Sequence, residues 1–303
     1  MLGTSTLASA ADKPAWCPSH WGAEDQIGAA NRLTPALAAA AAGLVKKGRT
    51  YALGIETNNT TPAYGSRSFN LVILQPGQAG GAGLGSNKAT YNDDVINGYA
   101  GIGSQIDGLG HVGIDNVYYN CNHNTDFVQP DGLRKLGVEG IPPIVTRGVM
   151  LDMTRHYGKD PVPGGTEIDA AAIKAQAAKQ GIEIRTGDIV LIHTGWLAAH
   201  GNDRDAYLAA EPGVSLDGGE YLVSREVVAV GADNWGVEVS PNDPAQGAMP
   251  VHTLFLPRNG IYILETMNTA ELARDEVYEF MFVLGIPKLT GGVQAIVNPI
   301  AID

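Results

Sequence analysis

Short apolar strands and capped helices follow one another along this chain without a strict β-α-β rhythm. Thr34 followed by Pro35 predicts the start of one helix, and Asp169 and Gly181 bracket an alanine-rich second helix. The run Ile189–His193 is typical of a buried strand. Because a doubly wound parallel sheet needs strands and helices in strict alternation, this order favours a different arrangement. We expect an α/β fold in which helices flank a mixed central sheet.

The length and composition predict one globular domain. The chain has 303 residues, of which 44% are hydrophobic and 17% are charged, so it is long enough to bury a substantial core. It contains no internal repeat and no linker long enough to divide it. We therefore expect a flexible tail over residues 1–15 and a single domain over residues 16–303.

The chain is acidic, which limits its partners. Its 20 Lys and Arg residues against 32 Asp and Glu residues give a formal net charge of −12 and a pI near 4.9. Binding to nucleic acid or to an anionic membrane requires a local excess of basic side chains, and the sequence shows none. We expect no nucleic-acid or membrane partner and a small-molecule substrate, and the acidic charge raises no objection to a neutral or cationic molecule.

The first residues and the two cysteines do not decide the cellular compartment of the protein. Residues 1–12 resemble the small-residue end of a secretory signal but lack its basic and strongly apolar parts. They are either the remnant of an export signal or a flexible tail, so the protein is either cytoplasmic or exported. Cys17 and Cys121 have no metal-binding spacing, and we favour two buried free thiols over one disulfide.

A glycine-rich run over residues 80–88 suggests a phosphate-binding loop. The spacing argues against it, because no Gly-Lys-Ser/Thr follows and no G-x-G-x-x-G opens a helix after a strand. We expect a mobile lid or surface loop over residues 76–92, preceded by a short buried strand at Leu71–Leu74, and no nucleotide cofactor.

One part of the chain gathers polar groups around a pair of glycines. Gln105 and Asp107 point to the same side of a strand, and His111 returns toward them after a turn. A carboxylate between Ile106 and Gly108 is expected to be partly buried, and it then needs a metal, a cation or several donors. Asp107 can alternatively cap a turn, and His111 can be a ligand, an acid–base group or an ordinary histidine.

Further polar side chains stand at the ends of predicted elements. His252 lies just inside a short helix that starts at Pro250, and Glu265 ends an apolar strand. His193 also ends a strand, where a solvent-facing side chain would explain it equally well. The chain has no G-x-S-x-G nucleophile elbow and no cysteine in a nucleophile pattern. The candidates that remain suit a metal site of oxygen and imidazole ligands, with Zn or Mn as the metal.

The order of the motifs along the chain resembles the cyclase family, which includes kynurenine formamidase and isatin hydrolase. The chain is similar to the longer branch of that family over nearly its whole length, and the resemblance implies a swivelling β/β/α fold. The motifs are Trp21-Gly22, Asp25-x-Ile27-Gly28-Ala29-x-Asn31-x-Leu33-Thr34-Pro35, Gln105-x-Asp107-Gly108-x-x-His111, Gly187-Asp188, Thr194-Gly195-Trp196, Asp233-x-Trp235 with Glu238, and Val251-His252 with Glu265.

The resemblance implies a Zn or Mn site that activates water against an amide or a related carbonyl. The metal-binding run of the family, H-x-x-x-H-x-D-x-x-x-H, places its aspartate on Asp107 and its last histidine on His111. Its first two histidine positions hold Gly101 and Gln105, which removes two imidazole ligands. A neutral amide is a weak ligand, so we expect weaker metal binding than in a histidine-rich site.

The resemblance assigns a role to each candidate residue. Asp107, His252 and Gln105, the last through its amide oxygen, are expected to bind the metal. Glu265 is expected to act as a further ligand or as a base, and either Glu265 or His111 moves the proton.

The leading hypothesis is a metal-dependent hydrolase of a small amide, cyclic amide or lactone. Trp196, Trp235 and Tyr119 are expected to form the walls for an apolar or aromatic substrate. A cyclase or dehydratase that uses the same Lewis-acid pocket, and a catalytically inactive small-molecule binding protein, are the alternatives. The resemblance also implies a homodimer or homotetramer.

Overall fold

A computed structural model describes residues 14–74 and 81–303 of the chain. Its strands, in chain order, are β1 Thr50–Ala52, β2 Phe69–Leu74, β3 Asp93–Gly98, β4 Gln105–Asp107, β5 Val117–Tyr118, β6 Asn122–His123, β7 Val128–Gln129, β8 Gly132–Leu133, β9 Ile144–Asp152, β10 Glu167–Ile168, β11 Ile189–His193, β12 Gly213–Val214, β13 Ala229–Ala232, β14 Tyr262–Glu265, β15 Glu279–Leu284, β16 Gln294–Ile296 and β17 Ile300–Ile302. The α-helices are α1 Pro35–Ala42, α2 Asn124–Phe127, α3 Met153–Tyr157, α4 Ala170–Gln180, α5 Trp196–His200, α6 Arg204–Ala209, α7 Leu216–Ser224, α8 Pro250–Thr253 and α9 Ala270–Arg274. Short 3₁₀ turns cover Gly28–Arg32, Tyr119–Cys121, Val138–Gly140 and Pro244–Gln246, and a π-helical turn covers Leu254–Arg258. None of the helices in the described ranges is long and apolar enough to cross a bilayer.

Two sequence predictions fall partly outside this description. The tail expected over residues 1–15 lies almost entirely in residues 1–13, which are not among the described residues. Residues 76–80 of the loop expected over residues 76–92 also lie outside them.

Nine strands form one mixed sheet, in the order β1-β17-β15-β9-β11-β13-β14-β4-β16. Strands β9, β11, β13 and β14 run parallel in its centre, and the pairs toward both edges are antiparallel. Helices α1 and α4 pack against β9, which is buried along nearly its whole length. The expected mixed α/β arrangement is confirmed, and the sheet is not a doubly wound parallel one.

Local capping signals position the helices that were predicted from the sequence. Thr34 Oγ1 accepts a hydrogen bond from the Leu37 amide at 3.2 Å, and Asp169 Oδ1 accepts one from the Ala172 amide at 2.7 Å. Gly181 ends α4 in the left-handed region at φ 70°, a conformation that costs glycine little. The starts of α1 and α4 and the end of α4 are therefore confirmed.

Strand β4 carries the polar stretch of the sequence into the sheet. It is buried between β14 and β16 and antiparallel to both. Asp107 lies opposite Gln294 on β16, and Gln105 lies opposite Glu265 on β14. Non-local strand pairing thus brings together side chains from three distant parts of the chain.

Strands β2 and β3 form a hairpin separate from the main sheet. The prediction of a short buried strand at Leu71–Leu74 is wrong in its burial. The strand runs over Phe69–Leu74, and residues 71–74 are exposed because, among the described strands, β2 pairs with β3 alone.

The two cysteines form a disulfide, with their Cα atoms 5.6 Å apart. The expectation of two free thiols is therefore wrong. The adjacent Asn120 side chain accepts a hydrogen bond from the Ser19 amide and donates to carbonyl oxygens of Gly22, Ala23 and Asp25. These contacts hold the segment that carries Cys17 beside Cys121, a proximity that spacing along the chain does not reveal.

Candidate functional site

Three buried side chains meet where β4, β14 and α8 come together. One potential ligand atom from each of Asp107, His252 and Glu265 lies within 4.8 Å of the other two. His252 Nε2 lies 3.3 Å from Glu265 Oε1 and 3.7 Å from Asp107 Oδ2. Two carboxylates and an imidazole in this arrangement form a set of donors that suits a divalent cation.

Within the described part of the chain, one carboxylate oxygen of Asp107 has no hydrogen-bond partner. Its Oδ1 accepts a hydrogen bond from Gln294 Nε2 at 2.7 Å, whereas its Oδ2 is buried and receives no hydrogen bond from residues 14–74 or 81–303. His111 Nε2 and His252 Nε2 lie 3.9 Å and 3.7 Å from Oδ2, which is too far for hydrogen bonds. Because an unpaired buried carboxylate oxygen is costly, Oδ2 has the environment of a metal ligand.

Glu238 orients the imidazole of His252. Its carboxylate accepts hydrogen bonds from His252 Nδ1 and, at 3.0 Å, from the Val251 amide. Burial alone lowers the pKa of His252, but hydrogen bonds to Glu238 and Glu265 raise it well above its usual range. With Nδ1 bonded to Glu238, Nε2 is the nitrogen directed at Asp107 and Glu265, as in carboxylate–histidine–metal arrangements.

Gln105 holds Glu265 from the neighbouring strand. Its Nε2 donates a hydrogen bond to Glu265 Oε2, so the amide that was expected to bind metal is bonded to another candidate ligand. Burial and the nearby charge of Asp107 raise the pKa of Glu265 to about 7. Two buried carboxylates that repel each other are stabilised when a cation lies between them.

Gln294 fills the space beside Gly101. A Cβ atom at position 101 would collide with the side-chain amide of Gln294. The position of the first family histidine is thus occupied from β16 by an amide that donates to Asp107. Sequence reasoning missed Gln294, because it lies far along the chain and only the pairing of β16 with β4 places it here.

His252 and Glu265 line a cleft of about 310 Å³, a volume at the lower end of the range for small-molecule sites. One wall is aromatic, because Tyr64 stacks on Trp235 with ring centroids 5.5 Å apart and planes 11° apart. His111 lines the same cleft. Tyr64 was not among the residues predicted from the sequence.

Two polar atoms of residues in the cleft wall are buried and have no hydrogen-bond partner in the described ranges. They are Trp235 Nε1 and Glu211 Oε1. Glu211 Oε2 accepts a hydrogen bond from the Trp235 amide at 2.8 Å, and burial raises the pKa of Glu211 well above its usual range. The wall therefore combines an aromatic surface with an indole N–H donor and a carboxyl that favours its neutral form. Glu211 stands between Ala210 and Pro212, where the sequence gives no signal of its role.

His111 is partly exposed at the cleft, with 21% of its side chain accessible. Burial lowers the pKa of His111 by more than the neighbouring charge of Asp107 raises it, and the charges of His252 and Arg67 lower it further. Its imidazole is therefore neutral at neutral pH and able to accept a proton.

Two of the three aromatic residues expected to bind substrate lie away from this cleft. Trp196 Nε1 donates to the Tyr207 carbonyl oxygen at 3.1 Å, and the Tyr119 hydroxyl donates to Ser19 Oγ at 2.7 Å. Trp235 lines the cleft, whereas Trp196 and Tyr119 do not.

His193 is buried and does not face solvent. Its Nδ1 lies 2.7 Å from Thr269 Oγ1 and 3.2 Å from Asp233 Oδ2. Asp233 also accepts hydrogen bonds from the Thr194 and Gly195 amides, each at 2.8 Å. These residues join the ends of β11 and β13 and lie outside the cluster of Asp107, His252 and Glu265.

Comparison with known proteins gives a consistent result for the fold. The family model named Cyclase matches residues 51–239. A crystal structure described as a novel cyclase is 29% identical, with a TM-score of 0.84, over 93% of this chain and 96% of that chain. Isatin hydrolase A from Ralstonia solanacearum is 21% identical, with a TM-score of 0.64, over 89% of this chain and 97% of that chain. A protein described as a predicted metal-dependent hydrolase, from Bacillus stearothermophilus, is 18% identical, with a TM-score of 0.54, over 84% and 98% of the two chains.

A comparison with curated proteins gave no significant match. The two structures under 25% identity are similar to this chain in fold.

Proposed function

The chain belongs to the cyclase family, and we propose that it is a metal-dependent hydrolase of a small amide, cyclic amide or lactone. One observation carries the proposal: Asp107, His252 and Glu265 meet in a buried cluster, and Asp107 Oδ2 has no hydrogen-bond partner among the residues that the structure describes. The likeness in fold to an isatin hydrolase and to a protein described as a metal-dependent hydrolase supports the same reaction class.

Asp107, His252 and Glu265 are the residues that would hold the metal. The mixture of carboxylate and imidazole donors suits Zn or Mn. A divalent cation bound there supplies a Lewis acid that polarises a carbonyl oxygen and makes water more acidic. Glu238 and Gln294 keep His252 and Asp107 in position through the hydrogen bonds described above.

His111 is the residue best placed to move a proton. It lies at the cleft, and its neutral imidazole can accept a proton from the attacking water and return it to the leaving nitrogen or oxygen. Glu265, the other candidate base, is bonded to Gln105 and His252 and serves as a metal ligand in this proposal.

The aromatic wall orients the substrate. The stacked rings of Tyr64 and Trp235 offer a flat surface to an apolar or planar group. Trp235 Nε1, which is buried and has no partner in the described part of the chain, can donate a hydrogen bond to a carbonyl oxygen of the substrate. An unpaired donor of this kind favours a substrate that carries an acceptor at that position.

Turnover with and without metal tests the proposal. Protein purified without chelator would be assayed against N-formyl amines, cyclic imides and lactones, then stripped of metal and reloaded with Zn or Mn. We expect hydrolysis that is lost on stripping and restored by one of the two metals, with a product heavier than the substrate by one water. A product lighter by one water would indicate a cyclase or dehydratase, and protein without metal or turnover would indicate a binding protein.

A further inference from the structure

A partly buried cationic side chain, Arg67, lines the cleft. Its guanidinium makes no hydrogen bond and no ion pair with residues 14–74 or 81–303. The carboxylates that share the cleft already accept hydrogen bonds from other groups; they are Glu211, Glu238 and Glu265. The five N–H donors of the guanidinium are therefore available to a molecule that enters the cleft.

The turn that carries Arg67 is fixed on both sides. Arg204 Nη2, on α6, donates hydrogen bonds to the carbonyl oxygens of Ala63 at 3.1 Å and Gly65 at 2.8 Å. Phe69, at the start of β2, is buried in a small apolar cluster that includes Ala63. Because the turn is already ordered, a ligand that bonds to Arg67 does not have to order it.

The charge of Arg67 acts on the groups proposed to carry the reaction. Burial is the largest influence on the pKa of His111, which it lowers, and on the pKa of Glu265, which it raises to about 7. The nearby guanidinium lowers the pKa of both groups. Arg67 and Glu265 line the same cleft of about 310 Å³, so one small molecule can contact both ends of it.

We infer that Arg67 binds a carboxylate of the substrate, so that the substrate class is a small amide, cyclic amide or lactone that also carries a carboxylate. This inference rests on the proposed hydrolase function and adds the group that selects the substrate. A guanidinium presents two parallel N–H groups that match the two oxygens of a carboxylate. The net charge of −12 gives the chain no general attraction for anions, so recognition of a carboxylate depends on this side chain.

The aromatic wall positions the rest of such a substrate. Tyr64 belongs to the same turn as Arg67, and its ring stacks on Trp235. A planar ring that lies on this wall can direct a carboxylate to Arg67 and the bond to be cleaved to the cluster of Asp107, His252 and Glu265. Aromatic amides that carry a carboxylate are therefore suitable probes.

Matched substrates that differ in charge test the inference. The three positional isomers of formamidobenzoate each have a carboxamide counterpart of nearly the same shape and without the charge. We expect wild type to have a lower KM for at least one of these carboxylates than for its carboxamide. Arg67→Gln should raise the KM for that carboxylate by about 10- to 100-fold, the loss expected for hydrogen bonds between charged groups, and should change the KM for the carboxamide little.

Two further variants control this comparison. Arg185→Gln, at a side chain 59% exposed outside the cleft, should behave like wild type. Arg67→Lys keeps the charge but loses the paired N–H groups, so it should recover part of the affinity for the carboxylate. A fall in kcat of equal size for carboxylate and carboxamide in Arg67→Gln would show that Arg67 acts on the reacting oxygen, and would overturn the inference. Equal KM values for the two compounds in wild type would also overturn it.

Binding without turnover separates this inference from the proposed function. Isothermal titration of wild type and Arg67→Gln with benzoate and with benzamide measures recognition of a carboxylate whether or not an amide is cleaved. Tighter binding of benzoate by wild type, lost in Arg67→Gln, would support the inference even if no compound in the panel is hydrolysed. Benzoate affinity that is the same in both proteins would contradict the inference and leave the proposed hydrolase function intact.

Discussion

Two side chains outside the cluster of Asp107, His252 and Glu265 fix the positions of its members by hydrogen bonds. They are Glu238 and Gln294. Glu238 accepts a hydrogen bond from Nδ1 of His252, on the side of the ring away from Asp107. Gln294 Nε2 donates a hydrogen bond to Oδ1 of Asp107. Partners of this kind set the orientation and basicity of metal ligands. In the proposed metal site, these two residues therefore contribute to metal affinity without being ligands.

Replacing Glu238 should weaken metal binding without removing a ligand. Glu238→Gln keeps the size of the side chain but removes the charge that holds His252 Nδ1, so we expect metal affinity to fall by about 10- to 100-fold. Competition with a chromogenic chelator measures the change. Glu220→Gln, at an exposed glutamate, is the control, and equal affinities in the two variants would show that Glu238 does not support the site.

The indole N–H of Trp235, which has no partner among the described residues, should contribute to substrate affinity. Trp235→Phe keeps an aromatic ring in the wall and removes one hydrogen-bond donor. We expect KM to rise about fivefold, the equivalent of one hydrogen bond of about 1 kcal/mol, with little change in kcat. Steady-state kinetics on the substrate found in the panel would measure it. Trp196→Phe, outside the cleft, should alter stability and leave KM unchanged, and equal KM values for both variants would contradict the assignment.

At the ends of β11 and β13, the buried pair of His193 and Asp233 makes the stability of the fold depend on pH. Burial lowers the pKa of His193, but the hydrogen bond and charge of Asp233 outweigh burial and raise it above the ordinary value of 6.5. The folded chain thus holds this proton more tightly than the unfolded chain. The resulting stabilisation is complete below pH 6.5 and is lost as pH rises through the raised folded pKa.

A comparison of His193→Gln with the wild type checks this linkage. The difference in the free energy of unfolding should be largest in mildly acidic solution and should shrink as pH rises through the folded pKa. Urea denaturation at a series of pH values would measure it, with His20→Gln at an exposed histidine as the control. A difference that stays constant with pH would show that the proton on His193 does not stabilise the fold.

Elements defined by local chemistry could be predicted from the sequence, whereas contacts between distant strands could not. The cap at Thr34 and the left-handed stop at Gly181 involve residues within one turn, and both predictions are confirmed. The pairing of β4 with β14 and β16 joins strands far apart in the chain, and it alone brings Gln294 to Asp107. The burial of Leu71–Leu74 was wrongly predicted because an apolar run does not reveal whether another surface covers it.

The disulfide ties the first described segment of the molecule to its body. Cys17 and Cys121 are 104 residues apart in sequence, so the bond restricts a long loop in the unfolded chain. Removing such a bond typically costs about 2 to 5 kcal/mol of stability. We expect Cys17→Ser/Cys121→Ser to unfold at a lower urea concentration than wild type. Reductant should lower the urea concentration at the midpoint of wild-type unfolding and leave the midpoint of the variant unchanged. A wild-type midpoint that does not respond to reductant would contradict the presence of the disulfide.

In the molecule as a whole, the antiparallel strands β4 and β14 of the mixed sheet place the carboxylates of Asp107 and Glu265 beside the imidazole of His252. The central claim is that Asp107, His252 and Glu265 bind one divalent cation through atoms that include Asp107 Oδ2. Equilibrium titration of metal-free protein with Zn or Mn tests this most directly, with Asp107→Asn as the site variant and Asp131→Asn, at an exposed aspartate, as the control. We expect Asp131→Asn to bind like wild type and Asp107→Asn to bind at least about 100-fold more weakly, more than the loss of a supporting residue causes. Equal binding by both variants, or none by wild type, would contradict the claim.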